Sequence, residues 1–335
     1  MNSLREALRL TTEYRDYVWG GERLRPGHTP TAEAWIVHED DRIADGALKD
    51  RALGEVAAEY GEALLGRRPM ARTGQRFPLL IKLLDCSAWL SLQVHPNDEQ
   101  AVRLEGAGQF GKTEAWHVID AAPGAELLCG LQPGTTHEAL AQAIRDGNLL
   151  KRMQRLKVHT GDSVFIRPGT IHALGPGLLI YEVQQTSNIT YRVFDWNRPA
   201  SEGRALHIEQ SLAVFDPAAT SSIIPVPSLA DGQTQRLITC DYFALDVLAS
   251  QTKPIELDTH GESFHAITVL EGQAQITSND WKVTLNRFET ALVPAECGAY
   301  RLQPLTAFRA LKSSVELYHR EKPGFSKKPV SGTDC

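Results

Sequence analysis

Four residues in three strand-like segments have the types and spacing of a metal site. Gln93 and His95 are separated by one residue, so on a strand their side chains point to the same face. Glu114 opens the next strand-like run, and His172 follows a Pro-Gly turn after a further one. An amide oxygen, a carboxylate and two imidazole nitrogens suit Zn²⁺ with an open coordination position, or Mn, Fe or Co in its place.

The same residues also have a simpler interpretation. A buried histidine is commonly a core residue whose ring is hydrogen-bonded to its neighbours, and Gln with His on one strand face is not unusual. The turn at Pro168 and Gly169 favours the metal site, because it would place His172 at a defined position after the preceding strand.

Four short motifs, in order along the chain, resemble the short bacterial form of type I mannose-6-phosphate isomerase (phosphomannose isomerase). The resemblance is strongest over about residues 15 to 200, and four motifs in register are far more specific than one. The motifs are QVHPND at 93–98, GKTEAW at 111–116, PGTIHA at 168–173 and YRVFDW at 191–196.

This resemblance implies a mainly β cupin (jelly-roll) barrel with helical insertions. It also implies a zinc-dependent aldose-ketose isomerase that interconverts mannose 6-phosphate and fructose 6-phosphate through an enediol(ate). The implied cofactor is one Zn²⁺ per chain, and the substrate is a hexose 6-phosphate. The implied metal ligands are Gln93, His95, Glu114 and His172.

The resemblance assigns substrate contacts to three further residues. Ser91 resembles a phosphate-contacting serine, and Lys112 and Arg192 match substrate-contacting positions that are also the expected catalytic residues. Taken alone, Ser91 and Lys112 could be ordinary strand and loop residues. Arg192 points into the barrel in one strand register, where it would need an anion, and into solvent in the other.

The chain departs from longer members of the family near two of these positions. Gly111 precedes Lys112, and Asn188 stands near a place where some members carry an acidic residue. A proton-transfer role therefore cannot be carried over from those members, and the sequence assigns no general base.

Composition restricts the class of protein. The chain has 335 residues, of which 42% are hydrophobic, enough for one large or two medium domains. Its net charge of −6 is unfavourable for binding nucleic acid or an anionic membrane. No apolar run approaches the ~18 residues of a spanning helix, and the start lacks a signal-peptide pattern. Five scattered cysteines predict reduced thiols in the cytoplasm, with Cys86 and Cys129 in the core. Both a monomer and a homodimer are compatible with the sequence.

The pattern along the chain predicts two β units. We expect a catalytic cupin domain at 1–230, with helical segments near 49–70 and 135–156, the latter beginning with a capping box at Thr135 and Glu138. Short, regularly spaced strands predict a smaller cupin-like β domain at 236–320, which we expect to hold no metal because His265 has no partner ligands. Residues 321–335 form a charged tail.

Two other functions remain open from the sequence. One is a non-catalytic cupin that binds sugar phosphates. The other is a different metal-dependent cupin enzyme, an oxygenase or epimerase, because His95, Glu114 and His172 alone satisfy a two-histidine, one-carboxylate triad. Gln93 and the remaining motifs favour the isomerase.

Overall fold

The structure is a computed structural model that describes residues 4–28, 30–199, 204–225 and 228–316. Within these residues the protein is mainly β, as predicted, with four antiparallel sheets. No helix in the described part of the chain is long and apolar enough to cross a membrane. The predicted tail at 321–335 lies outside the described residues.

The N-terminal jelly roll consists of two sheets, with strand orders β13-β9-β6-β11-β4-β3-β2 and β12-β5-β10-β7-β8. Their facing surfaces share one apolar cluster that includes Trp116, Leu127 and Ile180, with Cys86 and Cys129 also buried there as predicted. The strands are β2 Glu13–Arg15, β3 Glu33–Val37, β4 Leu79–Cys86, β5 Leu92–Val94, β6 Glu114–Ala121, β7 Glu126–Leu131, β8 Met153–Lys157, β9 Ser163–Ile166, β10 His172–Leu174, β11 Leu178–Gln185, β12 Tyr191–Phe194 and β13 Ile223–Ile224.

A second pair of sheets, here called the C-terminal unit (residues 233–314), has strand orders β1-β20-β17-β22-β15-β14 and β16-β21-β18-β19. An apolar cluster that includes Val269, Ile276 and Leu302 fills the space between them. β1 (Leu8–Arg9) joins from the N-terminal end of the chain, and the domain boundary near 230 stays a prediction. The other strands are β14 Gln233–Thr239, β15 Ala244–Ser250, β16 Ile255–Asp258, β17 His265–Glu271, β18 Ala274–Thr277, β19 Lys282–Leu285, β20 Thr290–Val293, β21 Ala299–Pro304 and β22 Phe308–Ser314.

Short helices connect some of these strands. The predicted helical segment near 49–70 is three short helices, because Gly61 and Gly66 have positive φ and interrupt it. A Cβ on Gly66 would lie 2.5 Å from the carbonyl carbon of Glu262, so this break lets the helices pack tightly on the C-terminal unit. The helices are α1 Leu53–Tyr60, α2 Glu62–Leu65, α3 Arg67–Thr73, α4 Asp98–Glu105, α5 His137–Arg145 and α6 Ile208–Val214, with 3₁₀ turns at Leu149–Arg152 and Ala295–Cys297.

Two local predictions near 135–156 were wrong in detail. The cap of α5 is Thr136, whose hydroxyl accepts from the Ala139 amide, and not Thr135. The predicted helical segment also does not continue to residue 156: after α5 only a 3₁₀ turn follows, and Met153 onward pairs with β7 as strand β8. Tertiary pairing outweighs the local helical pattern there.

Candidate active site

One row of side chains across the five-stranded sheet forms the floor of the site. Arg192 on β12 lies opposite Gln93 on β5, and Gln93 lies opposite His172 on β10. Directly opposite residues of antiparallel strands point to the same face. The register therefore gathers three of the predicted site residues, which lie up to 99 positions apart in sequence, on the inner face of the jelly roll.

Glu114 completes this group from the other sheet. It is the first residue of β6, as predicted, and its Oε1 lies 3.0 Å from His172 Nε2, while its Oε2 lies 3.7 Å from His95 Nε2. His95 follows directly after β5. One potential ligand atom from each of these three residues lies within 4.8 Å of the others, and all three side chains are buried.

Both histidines are held with Nε2 facing the carboxylate. His95 Nδ1 lies 2.8 Å from the Ile189 carbonyl oxygen, and His172 Nδ1 lies 2.9 Å from that of Thr170. A backbone acceptor at Nδ1 fixes the tautomer that leaves Nε2 with a free lone pair, the usual arrangement of a metal-binding histidine. The Gln93 amide nitrogen lies 3.3 Å from His172 Nε2, and rotation of that amide would present its oxygen instead.

The chemistry of these ligand atoms suits a cation. Lys112 Nζ lies 2.8 Å from Glu114 Oε2, yet neither buried Glu114 oxygen accepts a hydrogen bond of good geometry. Burial alone would raise the pKa of Glu114, but Lys112 and the two histidines outweigh it and hold that pKa well below its usual value. Burial, and then Lys112, lowers the pKa of His95 and keeps it neutral. Two imidazole nitrogens, one carboxylate and one amide oxygen are a ligand set that fits a divalent metal ion.

A cavity of about 330 Å³ opens beside these residues. The predicted substrate contacts Ser91, Lys112 and Arg192 all line it, together with Gln93. Its volume is in the range of small-molecule sites. Further polar residues on its wall are Glu33, Lys82, Glu182, Asn188, Thr190, Arg204 and His207.

Arg192 points into this cavity and forms no ion pair with a carboxylate among the described residues. The nearby carboxylate of Asp195 is instead paired with Arg198 and Arg204. The Nε atom of Arg192 is buried without a hydrogen-bond partner, and burial, and then the charge of Arg204, lowers its pKa. The structure therefore has the strand register that turns Arg192 inward, where an anionic ligand would supply the missing partner.

Sequence reasoning missed a second charged row, on the seven-stranded sheet. Lys82 on β4 lies opposite Glu182 on β11, and their charged atoms are 3.4 Å apart. Trp116 Nε1 donates to the other oxygen of Glu182 at 2.9 Å. The sequence does contain a signal for this row, because each charged residue interrupts a largely apolar strand: Lys82 in LLIKLL and Glu182 in LLIYEVQQ. A charge inside such a run indicates a polar cavity behind the sheet.

The chain is similar to known proteins over most of its length. A family model described as phosphomannose isomerase type I, catalytic domain, matches residues 7–110. The chain is 33% identical to mannose-6-phosphate isomerase ManA of Bacillus subtilis, over 87% of this chain and 93% of that protein. It is 34% identical to mannose-6-phosphate isomerase of Streptococcus mutans, over 86% and 92%. A crystal structure of the Bacillus subtilis mannose 6-phosphate isomerase superposes with a TM-score of 0.82 at 28% identity, covering 92% of this chain and 99% of that one.

Proposed function

The chain belongs to the type I mannose-6-phosphate isomerase family, and from this premise we propose that it interconverts mannose 6-phosphate and fructose 6-phosphate through an enediol(ate). We propose further that one zinc ion is held by Gln93, His95, Glu114 and His172. The observation that carries the proposal is the buried Glu114 carboxylate between two Nε2 atoms, beside a cavity lined by Arg192, which pairs with no carboxylate among the described residues.

The zinc ion, when bound, would stabilise the negative charge that develops on the oxygens at C1 and C2 of the sugar. Gln93 is a neutral ligand, so the four ligands carry one negative charge in total, that of Glu114. The site keeps more positive charge than it would with a second carboxylate. That excess suits an electrophilic role more than a purely structural one.

Lys112 and Arg192 supply fixed positive charge around the substrate. Burial would lower the pKa of Lys112, but Glu114 outweighs it and raises that pKa, so the ammonium group stays charged in the cavity. A charged group fixed in a buried site stabilises an enediolate without reorganisation during the reaction. Arg192, with no carboxylate partner among the described residues, could bind either the phosphate or the enediolate.

Ser91 is well placed to contribute to phosphate binding. It is buried, lines the cavity, and lies two residues before Gln93 on the same segment. A serine hydroxyl can donate one hydrogen bond to a phosphate oxygen. Lys82 and Arg204 on the same wall are already paired with carboxylates, so Arg192, which pairs with no carboxylate among the described residues, is the cation best placed to meet a phosphate.

Two buried cysteines favour a reducing compartment. Cys86 and Cys129 are buried free thiols, and burial raises the pKa of both, so they are poor nucleophiles. We propose that the enzyme works in the cytoplasm, where such thiols stay reduced.

The proposal is tested by a coupled assay of mannose 6-phosphate turnover on the purified full chain. The protein is assayed as isolated, after removal of metal by a chelator, and after addition of zinc, manganese or cobalt. We expect turnover to disappear with the metal and to return with zinc, and the metal content to rise to one ion per chain.

Three results would contradict parts of this proposal. Folded, metal-loaded protein that binds mannose 6-phosphate without converting it would be a sugar-phosphate-binding protein. Turnover that is unaffected by complete metal removal would exclude the metal-assisted mechanism. Recovery of turnover with manganese or cobalt but not with zinc would contradict only the identity of the metal.

A further inference from the structure

The segment that carries Lys112 is fixed by hydrogen bonds from outside its own strand. Ser187 Oγ donates to the Phe110 carbonyl oxygen at 2.8 Å. The Lys112 amide donates to the Pro96 carbonyl oxygen at 2.9 Å. β6 begins only at Glu114, so these contacts replace the ladder bonds that would otherwise hold residues 110–113.

Asp98 is the centre of this network. Its Oδ1 accepts from the Gly111 amide at 2.8 Å and from Gln185 Nε2 at 2.9 Å. Gln185 Oε1 in turn accepts from the Thr113 amide at 2.8 Å. The amides on both sides of Lys112 are therefore held by side chains that are connected through a single carboxylate.

The fit between this segment and the start of α4 is close. A Cβ on Gly111 would lie 2.5 Å from the carbonyl carbon of Asn97, so only glycine allows this approach. At the other end of the short stretch, Lys112 Nζ lies 2.8 Å from Glu114 Oε2 and 3.3 Å from His95 Nε2. A small shift of the segment would therefore change the position of the ammonium group relative to the candidate metal ligands.

The second oxygen of Asp98 is held by a residue of the C-terminal unit. Tyr242, in the turn between β14 and β15, donates its hydroxyl to Asp98 Oδ2 at 2.7 Å. The guanidinium of Arg72 lies 4.7 Å from the centre of the Tyr242 ring, and the Tyr242 amide donates to Cys240 Sγ at 3.4 Å. The tyrosine is thus held in place from both sides.

We propose that Tyr242 is a positioning residue for the isomerase reaction. By orienting Asp98 it fixes the amides of Gly111 and Thr113, and so sets the position of Lys112 against Glu114 and His95. The proposal rests on the proposed function for the role of Lys112. It gives the C-terminal unit, which we expect to hold no metal, a contribution to catalysis.

The physical basis is the loss of one constraint on a shared carboxylate. Without the tyrosine hydroxyl, Asp98 Oδ2 loses its donor and the carboxylate can rotate, which weakens the bonds to Gly111 and Gln185. Misplacing a catalytic group by about 1 Å can lower a rate by about a hundredfold, and we expect substrate affinity and metal binding to change less. We therefore expect kcat to change more than KM.

The test compares Tyr242→Phe with Tyr300→Phe in the metal-loaded full chain. Tyr300 is a matched control, because its hydroxyl makes a buried hydrogen bond in the same unit, 2.8 Å from His265 Nδ1, away from the cavity. Hydrogen exchange of the amides at residues 110–114, metal content, kcat and KM for mannose 6-phosphate are measured for both variants.

We expect Tyr242→Phe to speed exchange at Gly111 and Thr113 and to lower kcat by about threefold to tenfold, the value of one lost hydrogen bond. KM should stay within about twofold, with one metal still bound. Tyr300→Phe should change neither exchange at residues 110–114 nor kcat. In a Lys112→Ala background, Tyr242→Phe should lower kcat no further, because the effect acts through Lys112.

Unchanged exchange at residues 110–114 in Tyr242→Phe would overturn the proposal, as would an equal loss of kcat with and without Lys112. Exchange is measured without substrate. A wild-type chain that fails to convert mannose 6-phosphate would therefore count against the proposed function, while the network itself would still be tested.

Discussion

Two buried histidines, His172 in the jelly roll and His265 in the C-terminal unit, occupy similar positions. Each is the first residue of its strand, and each has Nδ1 hydrogen-bonded, to the Thr170 carbonyl oxygen at 2.9 Å and to the Tyr300 hydroxyl at 2.8 Å. Their cross-strand partners differ, since His172 lies opposite Gln93 and His265 lies opposite Val293.

The electrostatic surroundings of the two rings differ as well. His172 Nε2 lies 3.0 Å from the Glu114 carboxylate. Lys312 is the charged residue with the largest effect on the pKa of His265. The buried carboxylate of that region, Asp246, is already paired with Lys312 and Arg236. Burial and one hydrogen bond are common to both rings, so neither distinguishes a metal ligand. We expect only His172 to bind a metal, because only His172 faces a carboxylate that a second imidazole, that of His95, also faces.

The largest expected effect compares His172→Ala with His265→Ala. Loss of His172 should abolish tight metal binding and lower kcat at least about a thousandfold, since the charge stabilisation by the metal goes with it. His265→Ala should keep one metal ion and near-normal kcat while losing about 1–3 kcal/mol of stability, because it removes a buried hydrogen bond and leaves a cavity. Metal analysis, the coupled assay and urea unfolding check both variants. Equal loss of metal in the two variants would contradict the distinction between His172 as a ligand and His265 as a structural residue.

A smaller effect on activity should distinguish Arg192, which has no carboxylate partner among the described residues, from Arg236, which has two. Arg192→Ala should lower kcat/KM by about a hundredfold, because a fixed cation in a buried site is lost, and should change the free energy of unfolding by less than about 0.5 kcal/mol. Arg236 bonds Asp246 and Glu316, so Arg236→Ala should cost about 1 kcal/mol of stability and leave kcat/KM unchanged. The converse pattern, stability lost with Arg192 and activity with Arg236, would contradict our assignment of Arg192.

The smallest expected effect is the acid sensitivity caused by His265. Burial, and then Lys312, lowers its folded-state pKa well below the usual 6.5. Below pH 6.5 the unfolded chain therefore takes up a proton at this residue that the folded chain does not, and stability falls as the pH falls.

Between pH 7 and pH 5 the wild type should therefore lose about 2 kcal/mol more than His265→Gln, which has no titrating group there. Urea unfolding at both pH values measures this difference, and contributions of the metal site cancel because both proteins contain it. Identical pH dependence of the two proteins would show that His265 titrates normally in the folded state.

Much of the fold and the positions of the candidate ligands could be predicted from the sequence. Strand periodicity located β9, β11, β12 and most of the C-terminal strands, and spacing placed Gln93 and Ser91 on one segment. Helix α4 was missed although Asn97 and Gln100 form a capping box, with Gln100 donating its amide to Asn97 Oδ1 at 2.8 Å. The strand β22 was also missed, because a mixed apolar and charged run has no clear period.

The residue types that can bind a metal, and their order, were determined by the sequence itself: a Gln-x-His pair, a glutamate at a strand start, and a histidine after a Pro-Gly turn. These features depend on local backbone geometry, which a few neighbouring residues set. Only the tertiary structure decided which of them meet, since strand register and the facing of two sheets place Glu114 against His172 and turn Arg192 inward. The link from Tyr242 to Asp98 spans 144 positions and depends on how the two units pack, which no local pattern records.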